Sequence, residues 1–336
     1  MPNRPRLTPA IADVRRAVRE NWQAAGVVEG DLVLVACSGG PDSMALAAAA
    51  SFEGSRAGIR VGAVIVEHGL QEITAAVAKQ TQANLRKLGL NPVDVLAVVV
   101  DGEGGPEAAA RTARYAALDS ARASHSAKFV MLGHTLNDQA ETVLLGLARG
   151  SGAKSLAGMA PVGEHYLRPL LSITRETTEA FCVDSGLEVW HDPQNLDPKF
   201  TRVRVRHEVL PLLEQALGAG VYKALARTAD QLREDSSALD ALASAAYLAA
   251  STVGATSVEL QIDQLEQLMP AVQKRVIKLA IEQVRGIATS HHLHEVLGLV
   301  TDWHGQKELT LAGVRVVRTG QALVFKSTKT LKPGAC

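Results

Sequence analysis

Residues 31–46 read DLVLVACSGGPDSMAL, and this stretch decides the fold. The apolar run DLVLVAC is typical of a strand buried on both faces, and it passes through two adjacent glycines directly into helix-forming residues. Three further apolar runs follow, each succeeded by a longer stretch of helix formers: IRVGAVIV (59–66), VDVLAVVV (93–100) and KFVMLG (128–133). This alternation is typical of βαβ units. It predicts an α/β fold with a doubly wound, Rossmann-like parallel sheet.

The segment SGGPDS follows the first predicted strand and opens the helix after it. In a parallel sheet, ligands bind at the carboxyl ends of the strands. Adjacent glycines let backbone N–H groups approach an anion, and the helix start adds the positive end of its dipole. A carboxylate beside phosphates implies a divalent cation between them, so Asp42 predicts Mg²⁺. A plain turn with Ser and Asp as helix caps is the alternative. The predicted phosphate site comprises Ser38, Gly39, Gly40, Pro41, Asp42 and Ser43.

A second polar segment, GHTLNDQAETVLLGLARGSG, begins where the fourth predicted strand ends, so it faces the same pocket. Asp138 and Glu141 are three residues apart on a predicted helix, which puts both carboxylates on one face. Two acids beside a nucleotide can hold Mg²⁺ or attract an amine. The structural alternative is that Thr135 and Asp138 form a variant of the helix capping box.

Other polar residues also follow the predicted strands. His68 comes after the second strand, near the expected nucleobase edge, with a simple turn residue as the alternative. Arg111 and Arg114 lie one helical turn apart after the third strand, where arginines can clamp a phosphate or an RNA backbone, or form a solvated helix face. Gly133 and His134 end the fourth strand.

A basic segment, KFTRVRVRHEVL, lies farther along a chain whose formal net charge is zero. If it is helical, Arg202 and Arg206 share a face; if it is extended, all three of its arginines do. Such a local patch can contact RNA phosphates, or it can be a charged surface segment. Its cations are Lys199, Arg202, Arg204 and Arg206.

Composition limits the class of protein. The 336 residues carry 35 basic and 35 acidic side chains, and 47% of them are hydrophobic. No apolar run approaches the ~18 residues that a membrane span needs, and the first residues lack the apolar core of a secretory signal. Three scattered cysteines without a CxxC pair argue against a disulfide framework and a metal–thiolate site. We therefore expect a cytoplasmic protein.

The pattern along the chain predicts three parts. Residues 1–28 are expected to form a helical N-terminal extension, and residues 29–215 the catalytic domain. Residues 216–336 are expected to form a mainly helical C-terminal domain that ends in the short strands KELTLAG, VRVVR and ALVFKS.

SGGPDSMAL resembles the PP-loop of ATP-pyrophosphatases, which split ATP to AMP and pyrophosphate to activate an oxygen of their substrate. Neither a Walker-type loop nor GxGxxG occurs in the chain. The motif order is similar to that of the tRNA(Ile)-lysidine synthetase family: SGGPDSMAL, VEHGLQ, EAAARTARY, GHTLNDQAETVLLGLARGSG, RPLL, then HDPQNLDPKFTRVRVRHEVLPLL. The resemblance implies a ligase that joins L-lysine to the wobble cytidine of a CAU-anticodon isoleucine tRNA. ATP is the implied cosubstrate, and neither a membrane nor a protein partner is implied.

The resemblance also implies roles for the candidate residues. The implied catalytic residues are Asp42, Asp138, Glu141, Arg202 and Arg206, with Mg²⁺ on Asp42 and Asp138. The implied ATP site comprises residues 38–43, His68, Arg111, Gly133 and His134. The implied tRNA contacts come from Arg114, Lys199, Arg204 and the C-terminal domain. Two alternatives stay open, namely another PP-loop ligase such as NAD synthetase and a non-catalytic nucleotide-binding module.

Overall fold

The computed structural model describes residues 7–67, 72–98, 106–150 and 152–328. The chain divides into two compact units, Met1–Arg233 and Glu234–Cys336, whereas the sequence predicts the boundary between 215 and 216. No helix in the described ranges is long and apolar enough to cross a bilayer.

The first unit is built on a five-stranded parallel sheet with the order β3-β2-β1-β4-β5. The strands are β1 (Leu32–Ala36), β2 (Arg60–Glu67), β3 (Val93–Ala97), β4 (Phe129–Leu132) and β5 (Tyr166–Leu167). The sequence predicts the first four. The fifth has two residues, too few to show the periodicity by which a strand is recognised.

Helices flank this sheet. They are α1 (Pro9–Ala24), α2 (Pro41–Ala57), α3 (Glu72–Lys87), α4 (Pro106–Ser124), α5 (Leu136–Ala148), α6 (Ala153–Leu156), α7 (Arg175–Asp184), α8 (Thr201–Arg204) and α9 (Leu210–Leu217). Short 3-10 turns span Pro169–Ser172 and Pro193–Leu196, a π-helical turn spans Val205–Val209, and α10 (Val221–Ala250) contains the boundary between the units.

The central strand β1 shows why the sheet is covered on both faces. Val33 and Val35 pack in one apolar core together with residues of α1 and α2. Leu32 and Leu34 pack in a second core with residues of α4. Because alternate residues of a strand point to opposite faces, this division confirms the predicted doubly wound sheet.

The second unit contains a five-stranded antiparallel sheet with the order β6-β7-β10-β9-β8. Its elements are β6 (Ser251–Val253), β7 (Ser257–Gln261), α11 (Ile262–Glu266), α12 (Pro270–Gln283), α13 (Ser290–Thr301), β8 (Leu309–Leu311), β9 (Val314–Thr319) and β10 (Ala322–Ser327). The terminal strands agree with the sequence prediction. β6 and β7 fall in a stretch that the sequence predicts as helical. The pairing of β7 with β10, far along the chain, and of β6 with β7 decides their conformation instead.

Gly286 follows α12 and packs closely against Val314 of β9 and Ile281 of α12. Its substitution provides a test of this packing. A Cβ at position 286 would lie 2.2 Å from Val314 Cγ2 and 2.9 Å from Ile281 Cγ2. We expect Gly286→Ala to lower the free energy of unfolding by about 1–3 kcal/mol through overpacking. Gly298→Ala is the matched control, because a Cβ there meets no heavy atom within 4 Å. Urea unfolding measures both variants, and equal stabilities would contradict the packing described.

Candidate active site

Hydrogen bonds of Ser38 and Ser43 hold together the loop that follows β1. Ser43 Oγ accepts a hydrogen bond from Ser38 N–H at 3.2 Å and donates one to Gly40 O at 3.0 Å. Helix α2 begins at Pro41, and no side chain of the described residues caps it at Gly40. The first N–H groups of α2 are therefore available to an anion, which favours the predicted phosphate loop over a plain capped turn.

Two glycines let neighbouring elements approach this loop. Gly39 has φ +85°, and a Cβ there would lie 2.6 Å from Thr81 Oγ1. A Cβ on Gly133, at the end of β4, would lie 3.2 Å from the carbonyl carbon and oxygen of Asp42. The carboxyl ends of β1 and β4 thus meet at one place, as the sequence predicts for residues 38–43 and 133–134.

The carboxylate of Asp138 uses each of its oxygens differently. Oδ2 accepts hydrogen bonds from the backbone N–H and the hydroxyl of Thr135, both at 2.8 Å, and completes a capping box at the start of α5. Oδ1 accepts hydrogen bonds from Arg175 Nη2 at 3.0 Å and Arg206 Nη2 at 3.1 Å. Capping and charge pairing are therefore both present, one on each oxygen.

Glu141 lies one turn farther along α5, and its side chain is 0% exposed. Arg206 donates to both of its oxygens, from Nε at 2.6 Å and from Nη2 at 3.1 Å. This bidentate pair explains how a carboxylate can be fully buried.

Arg175 is the functional residue that the sequence analysis missed. Its guanidinium lies 3.5 Å from Asp42 Oδ2, 3.0 Å from Asp138 Oδ1 and 3.9 Å from Glu141 Oε1. Thr178, also on α7, donates a short hydrogen bond to Asp42. One signal could have revealed the residue: Arg175 is a cation in the first turn of a helix, where the dipole disfavours positive charge. The carboxylates that contact Arg175 compensate for its unfavourable interaction with the helix dipole.

The pKa values agree with this charge pairing. Burial raises the pKa of Asp42, although Thr178 and Arg175 oppose the shift. Burial alone would raise the pKa of Asp138, but Arg175 and the Thr135 N–H outweigh it and hold the pKa below its ordinary value. Burial alone would lower the pKa of Arg206, but Glu141 outweighs it and raises that pKa. The charged forms of Asp138 and Arg206 are the favoured ones.

The basic segment is helical, and its three arginines separate. Arg206, in the π-helical turn, enters the acidic cluster, and Arg202 Nη2 lies 3.4 Å from Thr142 Oγ1 on α5. Arg204 turns back and donates to the carbonyls of Pro198 and Lys199 at 2.6 and 3.1 Å. The side chain of Lys199 is exposed. Arg202 and Arg206 thus both contact α5, as the helical alternative predicts.

Two of the remaining candidates are arginines of α4, and both interact electrostatically with His134 at the end of β4. Arg111 is exposed and stacks on the Tyr115 ring at 4.8 Å. Arg114 is half-buried, and burial lowers its pKa. His68 lies outside the described residues.

Mg²⁺ needs free oxygen ligands, and the acids of the site differ in how many they offer. Within the described ranges, no three His, Cys, Asp or Glu side chains come together as metal ligands. Asp138 already accepts four hydrogen bonds. Among the described residues, Asp42 Oδ2 contacts the guanidinium of Arg175 alone, at 3.5 Å. One carboxylate beside an anion-binding loop fits Mg²⁺, which usually takes one or two carboxylates together with substrate phosphates.

His134 follows β4 and is neutral. Its Nδ1 atom is buried and has no hydrogen-bond partner among the described residues. Burial lowers the pKa of the imidazole to about 4, against an ordinary value of 6.5. A neutral imidazole can donate or accept a hydrogen bond beside the phosphate loop without adding charge.

This pKa predicts a pH dependence of stability. Between pH 6.5 and about 4 the unfolded state binds more protons at His134 than the folded state does. Stability is therefore lost as the pH falls through this window, by up to about 3 kcal/mol. We expect His134→Gln to abolish that share of the acid sensitivity, measured by urea unfolding at neutral pH and near pH 4.5. His207→Gln removes an exposed imidazole and should leave the acid sensitivity unchanged. An unaltered pH slope in His134→Gln would contradict the assignment.

Comparison with known proteins gives matches across both units. A PP-loop domain matches residues 13–213, and a TilS substrate binding domain matches residues 260–324. The tRNA(Ile)-lysidine synthase of Leifsonia xyli subsp. xyli is 54% identical over 298 residues, which cover 88% of this chain and 90% of that protein. The enzymes of the same name from Streptomyces coelicolor and Thermobifida fusca are 50% and 49% identical and cover 90% and 94% of this chain, with 88% and 98% of their own lengths aligned.

A solved structure supports the fold independently. The U34-tRNA thiolase NcsA from Methanococcus maripaludis superposes with a TM-score of 0.57, covering 67% of this chain and 80% of that one. At 17% sequence identity, this likeness supports the fold alone. The motif order, the geometry at the ends of β1 and β4 and the extent of these matches agree, and the chain belongs to the tRNA(Ile)-lysidine synthase family of PP-loop proteins.

Proposed function

We propose that this chain uses ATP to ligate lysine to C2 of the wobble cytidine of a CAU-anticodon isoleucine tRNA, which changes decoding from AUG to AUA. One observation carries the proposal: the guanidinium of Arg175 joins Asp42 of the anion-binding loop to Asp138 and Glu141. A nucleotide on the loop and an amine on the acids would therefore lie next to each other. Membership of the family supports the same reaction.

In the first step, O2 of the cytidine attacks the α-phosphate of ATP, and pyrophosphate leaves. The uncapped N–H groups at the start of α2 bind phosphate oxygens and stabilise the charge that moves onto pyrophosphate. Asp42 is the residue best placed to hold Mg²⁺. When bound, Mg²⁺ neutralises part of the phosphate charge.

In the second step, the ε-ammonium of lysine gives up a proton to solvent, and the resulting amine attacks C2 of the activated base. The C–N bond forms, the bond from C2 to oxygen breaks, and AMP leaves with that oxygen. Asp138 and Glu141 attract the ammonium form of the amine and position it. Because Glu141 is fully buried, its field is weakly screened, which strengthens this attraction.

The RNA is assigned to the basic segment and to the second unit. Arg204 precedes Arg206 in one helical segment, and Lys199 lies in the turn before that segment, so we place a backbone phosphate bound to them next to the acidic cluster. Arg114 is a further candidate for a backbone contact. The second unit, which matches a substrate binding domain, is assigned contacts with the tRNA body that exclude methionine tRNA. With tRNA as substrate, we place the reaction in the cytoplasm and require no protein partner.

The two alternatives make different predictions. NAD synthetase is not favoured, because relatives aligned over 88% to 94% of the chain are tRNA(Ile)-lysidine synthases. A passive nucleotide-binding module does not need a half-buried Asp42 and a fully buried Glu141 next to its phosphate loop. Such a module would release no pyrophosphate with any combination of substrates.

The test of the proposal is incubation of the protein with ATP, Mg²⁺, radiolabelled lysine and an isoleucine tRNA transcript. We expect label in the tRNA, together with equal amounts of AMP and pyrophosphate. A transcript with uridine in place of the wobble cytidine is the matched control and should take up no label. Pyrophosphate release without labelled tRNA would indicate another PP-loop ligase.

Glu141→Gln tests the acidic cluster against simple stability. Replacing the carboxylate by an amide keeps its shape but removes its charge, so we expect turnover to fall by roughly 100-fold. Glu53→Gln is the matched control, because Glu53 is 4% exposed and pairs with Arg19 at 3.0 Å. Both variants lose stability, and only Glu141→Gln loses lysine incorporation. Equal activities in the two variants would make Glu141 a structural acid.

We expect the arginines of the basic segment to have two different roles, one in turnover and one in tRNA binding. Arg206→Ala and Arg202→Ala depress turnover at saturating tRNA, because these residues contact α5 next to the acids. Arg204→Ala mainly weakens tRNA binding and reduces the log–log salt slope by roughly 0.7–0.9. Single-turnover incorporation and tRNA affinity at several salt concentrations distinguish the two effects. If all three variants behave like the parent, the segment is a solvated surface.

A further inference from the structure

Asp138 has no acceptor position to spare for a substrate. An ionised carboxylate offers about four positions. Thr135 takes two of them at 2.8 Å, and Arg175 and Arg206 take the others at 3.0 and 3.1 Å. An ammonium group that binds Asp138 must therefore replace one of these donors.

The four donors differ in how firmly they are bound. Those of Thr135 belong to the capping box that begins α5. Arg206 is anchored by Glu141 through bonds of 2.6 and 3.1 Å. Arg175 lies 3.9 Å from Glu141 and 3.5 Å from Asp42, so within the described part of the chain its 3.0 Å bond to Asp138 is its one short contact with an acid. Of the four donors, Arg175 is therefore the one that is most easily displaced from Asp138.

The backbone at Arg175 is held in place, so an exchange of acidic partners at this position would move the side chain alone. Thr174 caps α7, and Arg175 N–H donates to Asn137 Oδ1 at 3.0 Å. The helix dipole disfavours a cation in this first turn, so the guanidinium depends on its acidic partners. A stronger anion nearby would draw it away from Asp138 without moving α7.

The phosphate loop supplies a place for that anion. Asp42, the second residue of α2, follows the uncapped start of the helix and already faces Arg175. Guanidinium groups bind phosphate through two parallel hydrogen bonds, whereas Arg175 makes one short bond to Asp138 and longer contacts with Asp42 and Glu141. Phosphates of a nucleotide on this loop would lie beside Asp42, within reach of the guanidinium that lies 3.5 Å from that carboxylate.

We propose that Arg175 is a positioning residue that occupies the ammonium place on Asp138 until a nucleotide on residues 38–43 offers its guanidinium a phosphate, so that ATP binding opens the lysine site. The inference rests on the proposed function, in which ATP and lysine meet at this cluster. It orders the reaction: the amine binds tightly only after the nucleotide that activates the base. By thermodynamic reciprocity, lysine strengthens nucleotide binding by the same factor.

Equilibrium dialysis of radiolabelled lysine against the full chain tests the coupling, with and without saturating α,β-methylene-ATP and Mg²⁺. In the parent we expect the nucleotide analogue to tighten lysine binding about tenfold, in the range typical of coupled sites. In Arg175→Met lysine should bind about as tightly without the analogue as the parent does with it, and the analogue should change the affinity less than about twofold. Removing a cation from an acidic cluster strengthens binding of another cation, which a merely structural residue would not do.

Two more variants complete the design. Arg175→Gln keeps N–H donors without the charge and should lose the coupling in the same way, so it replaces Arg175→Met if that variant does not fold. Arg19→Met removes the arginine from the buried Glu53 and should keep the coupling of the parent. Weaker lysine binding in Arg175→Gln by an equal factor with and without the analogue would overturn the inference, as would a parent without coupling. A parent that neither binds nor incorporates lysine would overturn the proposed function itself.

Discussion

The candidate site depends on two guanidinium groups that share three carboxylates. The acids come from α2 and α5, which follow different strands, and the carboxylates would repel one another without cations between them. Arg175 and Arg206 provide those cations from α7 and the π-helical turn. Because loss of one partner from a buried ion pair costs about 3–5 kcal/mol, these distant segments are joined by charge as well as by apolar packing.

The same arrangement sets what the site can accept. In this cluster three carboxyl groups contact two guanidinium groups, so the acids outnumber the cations and the cluster favours a ligand that carries a positive charge. A lysine side chain carries that charge, whereas the phosphates of a nucleotide are attracted to the N–H groups of α2. The strands β1 and β4 are neighbours in the sheet. The start of α2, which attracts anions, and the acids of α5, which attract cations, therefore lie side by side.

Local features of the site could be predicted from the sequence, and features that depend on tertiary structure could not. The loop of residues 38–43 follows from a buried strand, two glycines and a helix start that are contiguous in the chain. Arg175 is 37 residues from Asp138, and nothing in the sequence around Arg175 identifies the acids that it contacts. The same reason accounts for β7, whose partner strand β10 is far along the chain. The separation of Arg204 from Arg206 follows from helical periodicity, but the sequence alone left a helical and an extended conformation of this segment open.

Asp138 shows that a structural and a functional interpretation of one residue can both be correct. Its Oδ2 atom completes the cap of α5, and its Oδ1 atom faces the two arginines. The cap aims the carboxylate, because two bonds to Thr135 leave one oxygen free to point into the cluster. A capping box and a ligand site are usually treated as competing interpretations of the same motif. Here the helix cap orients the acid, so a substitution at Asp138 removes the cap of α5 and the charge pairing with the two arginines together.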